Sequence, residues 1–178
     1  DTHAAVGMQT TIASAATADT ALINALIAQA DLGRIGVIAK GLIGGAHRGW
    51  KYNGGGVFQS DIAGQTVTTT QLLNLAAPGS EITITAVVAG TQVRTGIDRD
   101  LDGWFDADEE SVCADPADPE NHPGTPPAVD VDGDLTVGVP DVFAFLSAWF
   151  AGSADFDGNG STSVPDIFAY LSAWFAGC

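Results

Sequence analysis

Between residues 20 and 33 the apolar side chains Leu22, Ile23, Leu26 and Ile27 recur at helical spacing and Gly33 stands at a natural stop, so TALINALIAQADLG predicts an amphipathic helix. The period then changes. RIGVIAKGLIGG (34–45), HRGWKYNGGGVFQSD (47–61), EITITAVVAG (81–90) and TQVRTGID (91–98) are β-branched and aromatic runs broken by glycine, and predict strands with AGTQ as a hairpin turn. TTTQLLNLAAPG (68–79) predicts a short helix with a threonine cap. Residues 1–97 therefore read as a small β-rich domain, a sheet with one or two helices on a face, whose last strand over 91–97 feeds into the next segment.

The pattern then repeats itself. VPDVFAFLSAWFAGS at 139–153 returns as VPDIFAYLSAWFAGC at 164–178 with conservative changes, and each copy predicts a short helix that is apolar on nearly all sides. Neither run approaches the ~20 apolar residues of a membrane span. The small residues Ala144, Ser147, Ala148 and Ala151, with Ala169, Ser172, Ala173 and Ala176, form a stripe in each helix suited to close helix packing. Packing along that stripe leaves large rings uncovered. Phe145, Trp149, Tyr170 and Trp174 are accordingly candidates for a partner-binding face.

Charge sharpens the division. The 178-residue chain carries −16, yet residues 1–97 hold as many bases as acids, so the whole excess lies in 98–178, where Arg99 is the sole base. Such a surface argues against nucleic acid or an anionic membrane as a partner. Asp98, Asp100, Asp102, Asp106, Asp108 and Glu109 crowd into DRDLDGWFDADE, and each repeat copy is preceded by an acidic loop, DVDGDLTVGVPD or DFDGNGSTSVPD. Carboxylates packed this closely need a counter-charge that the sequence lacks. A hard cation such as calcium supplies it, taking oxygens from positions 1, 3, 5, 7, 9 and 12 of a twelve-residue loop.

Three loops fit that pattern. The first offers Asp98, Asp100, Asp102, the carbonyl of Trp104, Asp106 and Glu109, with Gly103 at the sharp turn. The second offers Asp130, Asp132, Asp134, the Thr136 carbonyl and Asp141, but has Leu135 where glycine is usual, which predicts a strained loop. The third offers Asp155, Asp157, Asn159, the Ser161 carbonyl, Ser163 and Asp166, with Gly160 at the turn. The expectation is about three calcium ions.

On these motifs, 130–178 resembles a type I dockerin, a tandem EF-hand module that docks into cohesin domains. GIDRDLDGWFDADEESVCADPADP resembles a thrombospondin type 3 calcium repeat, and the whole layout is similar to tails of large secreted proteins of planctomycete-type bacteria. The resemblance implies calcium at the aspartates of both repeat loops and a protein partner, either a cohesin-like domain or a further copy of the chain's own assembly. The sequence departs from cohesin-binding dockerins at loop positions 10 and 11, where Val139, Pro140, Val164 and Pro165 replace polar recognition residues.

The fold class expected is α+β: a small β-rich N-terminal domain with one or two helices (1–97), a calcium-binding connector (98–120), a Pro-rich linker (121–129) and a dockerin-like tandem EF-hand module (130–178) in which calcium stabilises a helical pair. Cys113 and Cys178 are a candidate disulfide. His47 with Arg48 and Ser60 with Asp61 are candidate chemistry-bearing pairs, but no GxSxG, HExxH or spaced histidine cluster accompanies them, so no catalytic residue is expected. The functional expectation is a non-enzymatic, extracellular or cell-surface attachment segment. Its alternatives are the C-terminal accessory part of a longer secreted enzyme or cytochrome, and a subunit of a surface filament.

Overall fold

The computed structural model describes residues 3–124 and 128–176. Within them the chain forms two compact units: the first runs to Glu109 and takes in Pro116–Pro119, and the second holds Glu110–Asp115 and the residues from Glu120 on.

The first unit is built on a six-stranded antiparallel sheet. Its strands are β1 (Gln9–Ile12), β2 (Ile35–Ile43), β3 (Ala46–Gly54), β4 (Val57–Ser60), β5 (Thr66–Thr68) and β6 (Ile82–Val88), in the order β1-β6-β2-β3-β4-β5. In β6, ITITAVV alternates faithfully, so Ile82, Ile84 and Ala86 enter the core together. Helix α1 (Thr20–Asp31) starts where the Asp19 carboxylate accepts the Leu22 N–H at 3.0 Å, and buries Ile23 and Leu26 in the same core. Helix α2 (Thr69–Leu75) opens with a capping box in which Thr68 and Gln71 satisfy each other's backbone N–H groups, and it buries Leu72.

Helix α3 (Gln92–Gly96) occupies the stretch expected to be a strand. The reason is topological and local at once. β6 already has β1 on one edge and β2 on the other, so a strand returning from it finds no free edge. Thr91 instead donates its hydroxyl to the Val88 carbonyl at 2.8 Å, and Thr95 donates to the Thr91 carbonyl at 2.8 Å, so threonines that suit a strand here serve a turn and a helix. The end of α3 lies directly on β3, where a Cβ at Gly49 would come within 2.0 Å of the Gly96 carbonyl oxygen. Glycine is obligatory there.

The expected fold class is overturned. It placed one or two helices with a small β domain and then a helical pair, whereas the described residues form a six-stranded antiparallel sheet and six α-helices, four of them before Val139. The fourth, α4 (Asp106–Glu110), is short, and α5 (Val139–Phe150) and α6 (Val164–Ala176) lie in the second unit.

In that unit the buried cluster is Val129, Phe145 and Tyr170, with the Phe145 and Tyr170 rings stacked 4.1 Å apart and 2° from parallel. The small-residue stripe is therefore not the seam, since Ser147 and Ser172 are exposed. Side chains four apart share a helix face, and the seam follows Asp141, Phe145 and Trp149 in α5 and Asp166, Tyr170 and Trp174 in α6. The expected linker and the Cys113–Cys178 bridge include residues outside the described ones, namely Thr125–Pro127 and Cys178.

Candidate metal centre

Each acidic loop folds by one local rule. An aspartate or asparagine side chain accepts the backbone N–H two residues on, which winds the chain tightly without a helix. In loop 1 (98–109) Asp100 takes the Asp102 N–H at 3.2 Å and Asp102 takes that of Trp104 at 2.7 Å. Loop 2 (130–141) repeats this with Asp132 and Asp134 accepting from Asp134 and Thr136, and loop 3 (155–166) with Asp157 and Asn159 accepting from Asn159 and Ser161. The first aspartate of each loop also accepts inward-pointing amides: Leu101 onto Asp98, Gly133 and Leu135 onto Asp130, Asn159 and Gly160 onto Asp155.

Such winding needs two left-handed residues per loop, at positions 4 and 6. They are Leu101 (φ 70°) and Gly103 in loop 1, Gly133 and Leu135 (φ 67°) in loop 2, and Gly158 and Gly160 in loop 3. The strain expected at Leu135 is present, and loop 1 carries the same strain at Leu101, where none is expected from the position-6 pattern. The signal was available: position 4 is glycine in loops 2 and 3 and leucine in loop 1.

The result, among the described residues, is three acidic groups that can hold a metal ion. In Asp98–Asp100–Asp102, Asp130–Asp132–Asp141 and Asp155–Asp157–Asp166, one carboxylate oxygen per residue lies within 4.8 Å of the others. The expected ligands Asp134 and Asn159 accept the turn amides of Thr136 and Ser161, as Asp102 accepts that of Trp104, and Ser163 donates its N–H to Asp166. Asp106 accepts the Arg99 N–H at 2.8 Å and forms ion pairs with Lys40 and Arg99, both at 3.7 Å.

The acid at position 12 divides the loops. Asp166 accepts the N–H groups of Phe156, Asp157 and Ser163 and the Ser163 hydroxyl, while Asp141 accepts those of Asp132 and Gly138. Backbone donation led by Ser163 holds the Asp166 carboxyl below its ordinary value; at Asp141 burial pushes upward, but the Gly138, Asp132 and Val131 amides outweigh it. Glu109 is the opposite case. It is fully buried, and neither carboxylate oxygen has a hydrogen-bond partner; Asp100 Oδ2 and Asp102 Oδ2 are buried and unpartnered beside it. Burial first, then the charges of Asp100, Asp102, Asp106 and Asp98, push its carboxyl up to about 7.

The expected partner-binding rings separate as well. Phe145 and Tyr170 are core, and Trp149 and Trp174 are half-buried with their indole N–H groups committed: Trp149 donates to the Ser163 carbonyl at 2.8 Å and Trp174 to the Gly138 carbonyl at 3.1 Å. Each helix thus braces position 9 of the other repeat's loop. The exposed rings of α5 and α6 are Phe143, Phe150, Phe168 and Phe175, between 66% and 80% accessible.

Arg48, Ser60 and Asp61 are joined to their neighbours by hydrogen bonds. Arg48 Nε donates to Asp61 Oδ1 at 2.8 Å, the Gly49 N–H donates to Asp61 Oδ2 at 2.6 Å, and the Ser60 hydroxyl donates to Gln65. No protein-family model, curated protein or solved structure matches the chain.

Proposed function

We propose that the chain is a non-enzymatic calcium-binding segment of a secreted or cell-surface bacterial protein, with a dockerin-like pair of loop-and-helix repeats that attaches it to a protein partner. The observation that carries the reading is the set of buried, unpartnered oxygens of Asp100, Asp102 and Glu109. Buried carboxylates without donors are costly, and the remedy the local chemistry offers is a cation. The hard, all-oxygen character of these groups, with carboxylates at positions 1, 3 and 12 of every loop and at position 5 of loops 1 and 2, suits calcium better than zinc or copper, which favour nitrogen and sulfur. Asp98, Asp100, Asp102 and Glu109 would hold the ion in loop 1, with Asp130, Asp132 and Asp141, and Asp155, Asp157 and Asp166, in the repeats. The ion supplies charge neutralisation and fixes the loop ends.

The attachment part is supported by the four exposed phenylalanines, which occur as equivalent pairs in the two repeats: Phe143 with Phe168 and Phe150 with Phe175. On a strongly acidic chain, exposed rings repeated at equivalent positions suit a protein surface rather than nucleic acid. Calorimetric titration of the metal-free chain with calcium, carried to millimolar concentration, gives a stoichiometry near three. A stoichiometry of zero overturns the reading, and ions bound with equal affinity for magnesium overturn the assignment to calcium.

A further inference from the structure

We infer that the cation of loop 1 is a clasp for the sheet unit, so that occupancy of this loop controls the order of the β4–β5 turn and the adjoining edge of β3. The inference rests on the calcium reading and says what that ion regulates.

Both ends of loop 1 are tied to the sheet. On the leading side, the Ile97 side chain is fully buried, and the Gly96 carbonyl before it lies over Gly49 of β3 with no room for a Cβ. On the trailing side, α4 is stitched to the β4–β5 turn: the Ala107 N–H donates to the Asp61 carbonyl at 3.0 Å, and Asp108 Oδ2 accepts the Ala63 N–H at 2.7 Å. The Asp61 carboxylate, 2% exposed, carries the link onward by accepting the Gly49 N–H and the Arg48 guanidinium. Asp106 adds a bond from its N–H to the Ile97 carbonyl at 2.9 Å and an ion pair to Lys40 of β2.

The ligands sit on opposite sides of this frame. Asp98, Asp100 and Asp102 belong to the leading side, and Glu109 belongs to α4. An ion bound to all four joins the two anchored ends. Without it, Glu109 faces those aspartates with no donor for either oxygen, and like charge pushes α4 away from α3. Because α4 holds Asp61 and Ala63, that displacement reaches β3 and β4 through bonds already described. The clasp needs no contribution from the two repeat loops.

Hydrogen exchange of the full chain, compared in millimolar calcium chloride and in EDTA, tests this on the natural sequence. Amides in the segment 57–66 and at Ala107 are expected to exchange at least tenfold more slowly with calcium. Glu109→Gln is expected to bind one ion fewer by native mass spectrometry and to lose that protection; Asp100→Asn serves if that variant does not fold. Asp155→Ala is expected to lose an ion from loop 3 and keep the protection. If loop 1 takes up calcium and the exchange of 57–66 does not change, the clasp is overturned while the calcium reading stands. If no ion binds to the natural chain at all, both fall together.

Discussion

Glu109 in loop 1 and the aspartates Asp141 and Asp166 in loops 2 and 3 hold the same place in the same twelve-residue pattern, and the molecule treats them in opposite ways. Asp166 is given three backbone N–H groups and a hydroxyl, whereas Glu109 is given none. The difference is one of reach and of neighbours. A short aspartate at the start of α5 or α6 folds back onto the amides of its own loop, much as a helix cap does. In loop 1 that task falls to Asp106, which accepts the Arg99 N–H, and the longer Glu109 is left inside with its charge. Loops 2 and 3 can therefore keep their shape through their own backbone. Loop 1 needs something from outside.

The comparison is tested most strongly by a pair of substitutions measured in two buffers. In EDTA, Asp166→Ala removes several hydrogen bonds and should lower stability by about 2 kcal/mol, while Glu109→Gln removes an unpartnered buried charge and should raise the melting temperature. In saturating calcium the glutamate variant should change sign, losing the ion's contribution of about 2.7 kcal/mol at a hundredfold excess over Kd. Thermal unfolding followed by circular dichroism reads both. A Glu109→Gln variant that is destabilised equally in both buffers breaks the contrast.

A smaller effect comes from pH. Glu109 titrates near 7 in the ion-free fold against an ordinary value of 4.5, so the native chain retains a proton that the unfolded chain has lost. Ion-free stability should fall as pH rises from about 4.5 to about 7. Calcium needs the ionised carboxylate, so affinity at loop 1 should weaken by up to about tenfold for each pH unit below 7. Asp141 and Asp166 lie below the ordinary aspartate value of 3.8, so their contribution is fully present above it and is lost only as pH falls through the lowered values. Calcium titrations at pH 5.5 and 7.5 should show one site moving and two holding still. Three sites that shift together would erase the distinction.

The smallest effect concerns backbone strain, where loops 1 and 2 stand together against loop 3. Leu101 and Leu135 hold positive φ and are 56% and 62% exposed, so little burial is lost on substitution. Leu101→Gly and Leu135→Gly should each stabilise by about 1 kcal/mol, the relief of left-handed strain less the entropy cost of glycine. Gly158→Ala should act in the other direction by a similar amount. Urea denaturation midpoints are sufficient, and a loss on either leucine substitution would mean that those side chains pack in a way their exposure conceals.

Much of the loop chemistry was legible in the residues alone, because a turn built from aspartates bonding amides two positions on is local: Asp98, Asp130 and Asp155 with their followers carry their geometry in their spacing. The same holds for α1, with its helical apolar spacing and Gly33 stop, and for β6, whose ITITAVV alternates. What depended on contacts far apart in the chain was decided only by the tertiary structure. The stretch 91–97 has the composition of a strand, but β6 has no free edge to offer it, and it becomes α3. Phe145 and Tyr170 look no different from Phe143 and Phe168 along the sequence; the first pair is buried because it shares a helix face with the loop acids. Glu109 resembles its counterparts until its surroundings are filled in, and whether a buried carboxylate meets an amide or another carboxylate is a property of the neighbours that folding brings to it.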